Sequence, residues 1–274
     1  MPAATGKMSD LFPIFMALLA YSCISAGFVL MKLGIGWTGW TGKRNRTFYR
    51  YLALWVTGFI IMNIYGVPSA IALKRLPPHI VAAFAGWGIV VLVFLAHFLL
   101  KEKIHKSDFL FSLAIVAGIF LLNFFEKPAS DNVIDIRGMI FLGLLPVILF
   151  ILGFGNRLSA RMKTALFASA SGISAALMVV FLKMLVLKYH YQIVLYFNSP
   201  YLYLYIGFAL LSFIALQMAI KNGPMMIIGP VQYSATILYP LPAAFFIFHR
   251  SIGFIQFLVL GVIVYSVVAI LKKR

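Results

Sequence analysis

The sequence predicts an all-α membrane protein, a polytopic bundle of about nine transmembrane helices that forms a single domain over residues 1–274. Two features of the composition indicate this class: 63% of the residues are hydrophobic and only 11% are charged. A soluble domain carries roughly 25% charged residues, so this chain has too few charges to cover a water-soluble surface. The third observation is that the apolar residues form runs close to the ~20 residues that cross a bilayer.

The predicted spans follow one another with only short polar segments between them. They cover residues 11–31, 49–73, 79–100, 109–125, 138–154, 165–187, 201–220, 225–248 and 252–271. The fourth and fifth are close to the lower length limit of a spanning helix. We interpret the first as a transmembrane helix, because it is longer than the core of a signal peptide and no clear small-residue cleavage site follows it.

The basic residues predict how the spans are oriented. The chain has 23 Lys and Arg against six acidic residues, which gives a formal net charge of +17. About twice as many basic residues lie in the loops on the side of the C-terminus as in those on the side of the N-terminus. The positive-inside rule then predicts a cytoplasmic (inner) membrane protein with its C-terminus in the cytoplasm and its N-terminus outside. No nucleic-acid partner is expected, because no soluble domain presents the basic residues.

Two pairs of segments resemble each other along the chain. SCISAGFVLMKLG (22–34) is similar to SGISAALMVVFLKML (171–185), and KRLPPHIVAAFAGW (74–87) is similar to IKNGPMMIIGPVQY (220–233). The alignment predicts a first repeat over about 11–125, a linking helix over about 138–154 and a second repeat over about 165–271. One linking span inverts the second repeat, and inverted repeats are common in transporters that alternate access to a central site. The alternative explanation is that small residues recur in any membrane helix.

Six segments carry a resemblance to a known family. They are ISAGFVLMKLG (24–34), WVTGFIIMN (55–63), AIALKRLPP (70–78), LLKEK (99–103), SGISAALMVVFLKML (171–185) and GPMMIIGPVQY (223–233). Their order and spacing resemble the drug/metabolite transporter superfamily, the EamA-like transporters, and within it the NIPA-type branch. The resemblance implies two inverted four-helix repeats joined by one helix, no cofactor, and transport of a small solute or ion. The NIPA-type branch implies Mg²⁺ or another divalent cation.

The chain departs from the family pattern at two places. The NIPA-type pattern has an acidic residue in the second helix, where this chain has Gly66. The superfamily often repeats a glutamate after the third helix of each half. Glu102 is present in the first half, whereas His249 and Arg250 stand at the corresponding place in the second.

Ionisable residues in the spans give a second hypothesis for the substrate. Carboxylates are ligands that Mg²⁺ prefers, yet the predicted spans contain no Asp or Glu, and no metal ligands are assigned. Lys32 and Lys183 lie within or at the edge of spans, and intramembrane ionisable residues are functional candidates. Facing a central cavity, they would bind an anionic or zwitterionic metabolite or a lipid head group. Alternatively, both side chains extend to the membrane interface.

Uncharged polar residues and helix breaks complete the predicted site. The polar candidates for substrate binding are Asn63, Asn123, Gln217, Gln232 and Tyr233. Gln232 and Tyr233 are preferred, because both lie about one turn from Pro230. The predicted breaks or gating positions are Gly66, Pro68, Pro230 and Pro240. Proline leaves one backbone carbonyl of the helix without its hydrogen-bond donor. Inside the membrane, only another protein group or a water molecule in a cavity can replace that donor. Hydrogen bonds between helices and packing kinks are the alternative roles.

Two other function classes are weighed against a transporter. The sequence has no HExxH, CxxC, GxSxG or phosphate-loop motif, and we expect no enzyme activity. A non-transporting membrane scaffold or assembly partner is the alternative, and a dry, fully packed interior would favour it. The expected partners of a transporter are the lipid bilayer and a small-molecule or ion substrate.

Overall fold

The computed structural model describes residues 5–36, 45–73, 84–103, 106–124, 136–189, 193–239 and 253–272. Its α-helices are α1 Thr5–Gly34, α2 Arg46–Ile64, α3 Gly66–Leu73, α4 Ala85–Leu100, α5 Lys106–Phe124, α6 Ile136–Leu152, α7 Ala160–Tyr189, α8 Ile193–Tyr196, α9 Pro200–Asn222, α10 Met225–Leu238 and α11 Phe254–Lys272. These ranges contain no β-strand, and the predicted all-α class is confirmed.

The helices are apolar enough for a membrane protein. Within the described ranges, four are long and apolar enough to cross a bilayer: Leu11–Gly34, Arg46–Ser69, Ala160–Leu182 and Pro200–Asn222. Shorter apolar helices, at Ala85–Leu100, Phe109–Gly118, Phe141–Leu152, Met225–Leu238 and Phe257–Ala269, fall in the other predicted spans. The chain is therefore an all-α membrane helix bundle, in agreement with the sequence.

The second predicted span consists of two helices. α2 ends at Ile64 and α3 begins at Gly66, and the N–H of Ser69 donates to the carbonyl of Tyr65 at 3.0 Å. Pro68 is buried in the first turn of α3, where its missing N–H is tolerated because the first N–H groups of a helix have no partner within that helix. The interruption lies at Tyr65, directly before Gly66, and the predicted role of Gly66 and Pro68 as break or gating positions stays a prediction.

The prediction of a break at Pro230 is wrong. α10 runs without interruption through Pro230, from Met225 to Leu238. A proline in a helix has no N–H, so it cannot donate to the carbonyl four residues earlier, which here belongs to Met226. The helix continues on both sides of this one missing hydrogen bond. Pro240 lies outside the described residues.

The contacts group the chain into two compact units, of which the first comprises residues 1–126, 224–229 and 258–274. Its helices α1 and α2 approach through glycine. A Cβ atom on Gly27 would lie 2.6 Å from the Gly58 carbonyl oxygen, and one on Gly58 would lie 2.6 Å from the backbone nitrogen of Met31. Small residues allow such close packing of membrane helices, and here only glycine fits at both positions.

The second unit comprises residues 127–223 and 230–257. Its core forms around α7, whose residues Ile173, Leu177 and Phe181 pack with Leu142 of α6 and with Tyr239. The Tyr239 hydroxyl donates to the carbonyl of Leu142. α7 is the most deeply buried of the four long apolar helices, because 67% of its most apolar segment lies inside the fold. The polar side chains of α7 therefore need partners within the protein.

An aromatic group lies at the C-terminal end of α7. The Lys188 Nζ atom is 5.2 Å from the centre of the Tyr189 ring and 5.7 Å from that of Tyr201. The hydrogen bond with Ser199 lowers the pKa of Tyr189, and Lys188 lowers it further against the opposing effect of desolvation. Tyrosine and lysine side chains of this kind are typical of a membrane–water interface.

We predict that Gly58→Ala destabilises the protein. The new Cβ atom would meet backbone atoms of α1, which move only if the two helices separate. Overpacking of this kind costs about 1–3 kcal/mol. Thermal unfolding in detergent, followed by circular dichroism, measures the effect as a lowered Tm.

Gly261→Ala in α11 is the matched control, because no atom of the described residues lies within 4 Å of a Cβ at that position. It should leave the Tm unchanged or raise it, since alanine favours a helix over glycine by about 1 kcal/mol. Equal Tm values for Gly58→Ala and the unsubstituted protein would contradict the close α1–α2 packing.

Candidate functional site

Glu102 caps the N-terminus of α10. Lys101 ends α4 in a left-handed backbone conformation (φ 56°), and the Glu102 side chain follows it. Its Oε1 accepts from the N–H of Met225 at 2.9 Å, and its Oε2 accepts from the N–H of Met226 at 3.0 Å. The first N–H groups of a helix have no partner within the helix and carry partial positive charge. A carboxylate therefore stabilises the beginning of α10.

Two basic side chains of the first unit adjoin Glu102. The His97 Nδ1 atom lies 2.9 Å from the backbone carbonyl of Glu102, so the imidazole contacts the main chain. Lys32, at the end of α1, is half-buried and attracts Glu102 electrostatically. The positive charge of Lys32 is thus partly opposed by a carboxylate of its own unit, which weakens its case as an anion ligand.

The first unit has a hydrogen-bonded contact between α1 and α4, which we call the α1–α4 seam. The Ser25 hydroxyl donates to the Gly88 carbonyl at 2.7 Å. The Trp87 indole N–H donates to the Ser22 hydroxyl at 3.0 Å, and Ser22 in turn donates to the carbonyl of Leu18 at 2.8 Å. Both serine hydroxyls of this seam therefore have partners.

The second unit has a polar contact between α7 and α10, which we call the α7–α10 seam: Ser171, Gly172, Gln232 and Thr236. The Gln232 side-chain N–H donates to the Ser171 hydroxyl at 3.3 Å, and the Thr236 hydroxyl lies 3.1 Å from the Gly172 carbonyl. Gly172 allows the helices to meet, because a Cβ there would collide with the Gln232 carbonyl. From α9, the Ser212 hydroxyl donates to the Ser171 carbonyl at 2.9 Å.

Three buried side-chain atoms of α7 and α10, one of them in the seam, have no hydrogen-bond partner within the described part of the chain. They are the hydroxyls of Ser174 and Ser234 and the Oε1 atom of Gln232. These residues are only 0%, 2% and 8% exposed. An unpartnered buried polar group costs about 1–3 kcal/mol, and native proteins keep few of them. The α7–α10 seam is therefore the candidate functional site.

The other predicted residues are dispersed. Tyr233 is buried next to Gln232 in α10, and Gln217 is half-buried in α9. Asn63 is exposed, and its amide donates to the Phe59 carbonyl of its own helix at 2.7 Å. The side chains of Lys183 and Asn123 lie outside the described residues. Of the predicted polar set, the structure joins Gln232 to the α7–α10 seam through Ser171.

The side chains of the seam limit the kind of metal ion that it can bind directly. No group of three His, Cys, Asp or Glu side chains that could hold a metal ion occurs in the described ranges. The seam offers neutral hydroxyl and amide groups. Mg²⁺ gives up its water reluctantly and binds directly through carboxylates, so neutral groups suit its hydration shell better than the bare ion.

The sequence analysis missed the serines of both seams and the capping role of Glu102. The signal for the serines was present, because the repeat alignment pairs Ser22 with Ser171 and Ser25 with Ser174. Serine is frequent in membrane helices, and the alignment alone did not single these residues out. The contact of Glu102 with Met225 joins residues 123 positions apart, which no local pattern reveals.

Comparison with known proteins supports the resemblance described above. Residues 3–124 match the sequence model of the EamA-like transporter family. Two proteins of Arabidopsis thaliana, "Probable magnesium transporter NIPA6" and "Probable magnesium transporter NIPA5", are each 27% identical, over 126 and 141 residues. The matches cover 44% and 50% of this chain but only 38% and 36% of the relatives. No solved structure matches significantly. The predicted resemblance to EamA-like and NIPA-type transporters is thus confirmed.

We predict that Glu102→Ala exposes the beginning of α10. Two charge-assisted hydrogen bonds are lost, and bonds to charged groups contribute about 1.5–3 kcal/mol. Hydrogen exchange of the Met225 and Met226 amides, measured by mass spectrometry, should become roughly 10–100-fold faster, since about 1.4 kcal/mol corresponds to a factor of ten.

Lys106→Ala is the control, because this exposed charge at the start of α5 lies only four positions from Glu102 in the chain. It should leave the exchange of both amides unchanged. An unaltered exchange rate in Glu102→Ala would show that the carboxylate does not hold α10.

Proposed function

We propose that this chain is a membrane transporter that moves a small solute or ion by alternating access, with Mg²⁺ or another divalent cation as the first substrate to test. The observation that carries the proposal is the α7–α10 seam, a buried and incompletely hydrogen-bonded polar surface between apolar helices. The similarity to EamA-like transporters over residues 3–124 supports the same function class.

The energetics of the seam favour transport over a purely structural role. Buried polar networks strengthen a fold when each member is satisfied, and they weaken it when members lack partners. In a scaffold, apolar side chains on α7 and α10 would be buried at lower cost than Ser174 and Ser234. In a transporter, the same groups contact water and the substrate once the helices separate. This difference argues against the scaffold hypothesis.

The divalent cation is proposed from the relatives and from the chemistry of the seam. Both Arabidopsis relatives are named as probable magnesium transporters. The hydroxyl of Ser174 and the amide oxygen of Gln232 can accept hydrogen bonds from water molecules that Mg²⁺ retains. The competing hypothesis, an anionic or zwitterionic metabolite or lipid head group, relied on Lys32 and Lys183. Lys32 lies within the electrostatic influence of Glu102, and the side chain of Lys183 lies outside the described residues.

Alternating access is proposed from the predicted inverted repeats. In the first unit, Ser22 of α1 accepts from Trp87 of α4, and in the second unit Ser171 of α7 accepts from Gln232 of α10. Each bond joins the first and third spans of one predicted repeat. A hydrogen bond between the first and third spans of each half supports a repeated structure, and membrane proteins built on inverted repeats commonly transport by alternating access.

The purified protein reconstituted in liposomes that enclose a Mg²⁺-sensitive dye tests the proposal. We expect Mg²⁺ uptake that depends on the protein, and Gln232→Ala should lower it about tenfold, because a lost hydrogen-bond partner costs about 1.5 kcal/mol. Ser266→Ala is the control, since this buried serine of α11 donates only to the Val262 carbonyl of its own helix.

The same liposomes distinguish the remaining hypotheses. Uptake of a phosphorylated metabolite or an amino acid in place of Mg²⁺ would keep the transporter and replace its substrate. Absence of protein-dependent flux for all solute classes, with a correctly folded protein, would refute transport and favour the scaffold.

A further inference from the structure

The α6–α7 turn, which we define as residues 153–161, carries two arginines. Arg157 lies between the two helices, and Arg161 follows four positions later at the beginning of α7. Both side chains are exposed. Because the connection between α6 and α7 is short, both arginines lie at the same end of these helices.

The described part of the second unit contains no carboxylate side chain that could neutralise these arginines. Residues 136–189, 193–223, 230–239 and 253–257 include no Asp or Glu. The same ranges contain seven basic residues: Arg137, Arg157, Arg161, Lys163, Lys183, Lys188 and Lys221. Asp131 and Asp135 are the acids of the remaining sequence of this unit, and they come before α6 in the chain, whereas the turn follows it. The charge of the turn is therefore open to an anion from outside the unit.

An apolar stripe of α6 leads to the turn. It consists of the exposed residues Phe141, Leu144, Leu145, Ile148, Ile151 and Leu152. At about 100° per residue, these positions fall within about 120° of the helix circumference, so they form one continuous side. An exposed apolar side of a membrane helix contacts lipid chains. A lipid whose chains pack along this stripe has its head group at the level of the turn.

Hydrogen bonds and ring contacts hold the turn in one conformation. The N–H of Phe154 donates to the Ile151 carbonyl at 3.1 Å, which continues the end of α6. The Ser159 hydroxyl accepts from the N–H of Met162 at 3.3 Å, which begins α7. The Phe154 ring lies 5.2 Å from that of Phe167 in an edge-to-face contact. A preformed segment of this kind loses little conformational entropy when it binds a ligand.

We propose that the α6–α7 turn is a binding site for an anionic phospholipid, with Arg157 and Arg161 at the phosphate and the apolar stripe of α6 along the acyl chains. The planar guanidinium of arginine donates two parallel hydrogen bonds to phosphate oxygens, which makes arginine suited to this group. The positive-inside rule places the turn on the predicted cytoplasmic side, where anionic head groups attract basic residues. The site does not depend on the transported solute.

Other occupants fit these observations less well. A second copy of the chain brings few acids, because each copy has six acidic residues against 23 Lys and Arg, and like charges repel. A soluble anion would bind the arginines and leave the apolar stripe unused. A role in orienting the chain alone requires basic residues on this side of the membrane, and it does not require them at these two positions.

Lipid titration of the purified protein in a non-ionic detergent tests the site. Native mass spectrometry measures the affinity for phosphatidylglycerol and for phosphatidylcholine with the same acyl chains. We expect the unsubstituted protein to prefer phosphatidylglycerol by at least about tenfold, since each basic residue near anionic head groups adds about fivefold to the affinity. The double variant Arg157→Gln/Arg161→Gln should bind phosphatidylglycerol about 10–30-fold more weakly and phosphatidylcholine unchanged.

Arg46→Gln/Arg50→Gln is the matched control. These arginines at the beginning of α2 are also exposed and four positions apart, so the control removes the same charge at the same spacing. It should leave the affinity for phosphatidylglycerol within about twofold of the unsubstituted value. An equal loss in both double variants would assign the attraction to net charge and overturn the site.

Two further outcomes would also contradict the proposal. Equal binding of the two lipids by the unsubstituted protein would remove the role of the anionic head group. Displacement of phosphatidylglycerol by an equal concentration of inorganic phosphate would show a site for a soluble anion. If the double variant does not fold, hydrogen exchange of the unsubstituted protein in nanodiscs decides. Slower exchange of residues 155–161 in phosphatidylglycerol than in phosphatidylcholine supports the site, and equal exchange overturns it.

Discussion

The structure depends on one constraint, which is that a polar group buried among apolar helices must find its hydrogen-bond partner within the protein. The hydrocarbon core of a membrane offers no water, so the backbone forms helices that satisfy their own N–H and carbonyl groups. Helix ends remain exceptions, and Glu102 supplies the partner for two N–H groups at the start of α10. At the break between α2 and α3, Pro68 lies in the first turn, where the lost donor is tolerated.

The same constraint explains why glycine and serine, and not large apolar residues, occupy the closest helix contacts. Glycine at positions 27, 58 and 172 brings the helices together until backbone atoms nearly touch. At Gly172 the short Thr236 side chain then reaches a backbone carbonyl of the neighbouring helix, and at the α1–α4 contact Ser25 reaches Gly88 in the same way. Small residues and short polar side chains therefore form one packing system in each unit.

This system is incomplete at buried polar groups of α7 and α10, and that incompleteness links structure to function. A fold that only had to be stable would fill the seam with apolar groups or satisfy each of its hydroxyls. A protein that opens a path for a hydrated solute needs polar groups that bind water in one state and are buried in another. Ser174, Gln232 and Ser234 have these properties, and they lie on α7 and α10, the helices that contact each other at Gly172.

The sequence by itself determined the all-α membrane class and the positions of the apolar helices, because the length and apolar character of a span act locally. It also singled out Gln232 as a polar residue in an apolar run. It was wrong about a break at Pro230, since one lost hydrogen bond does not end a helix whose other backbone bonds persist. Only the tertiary structure decided which polar groups are satisfied: Ser25 bonds to Gly88, 63 positions away, and the Glu102 cap joins segments 123 positions apart. Such pairings arise from the packing of helices distant in sequence, which local periodicity does not encode.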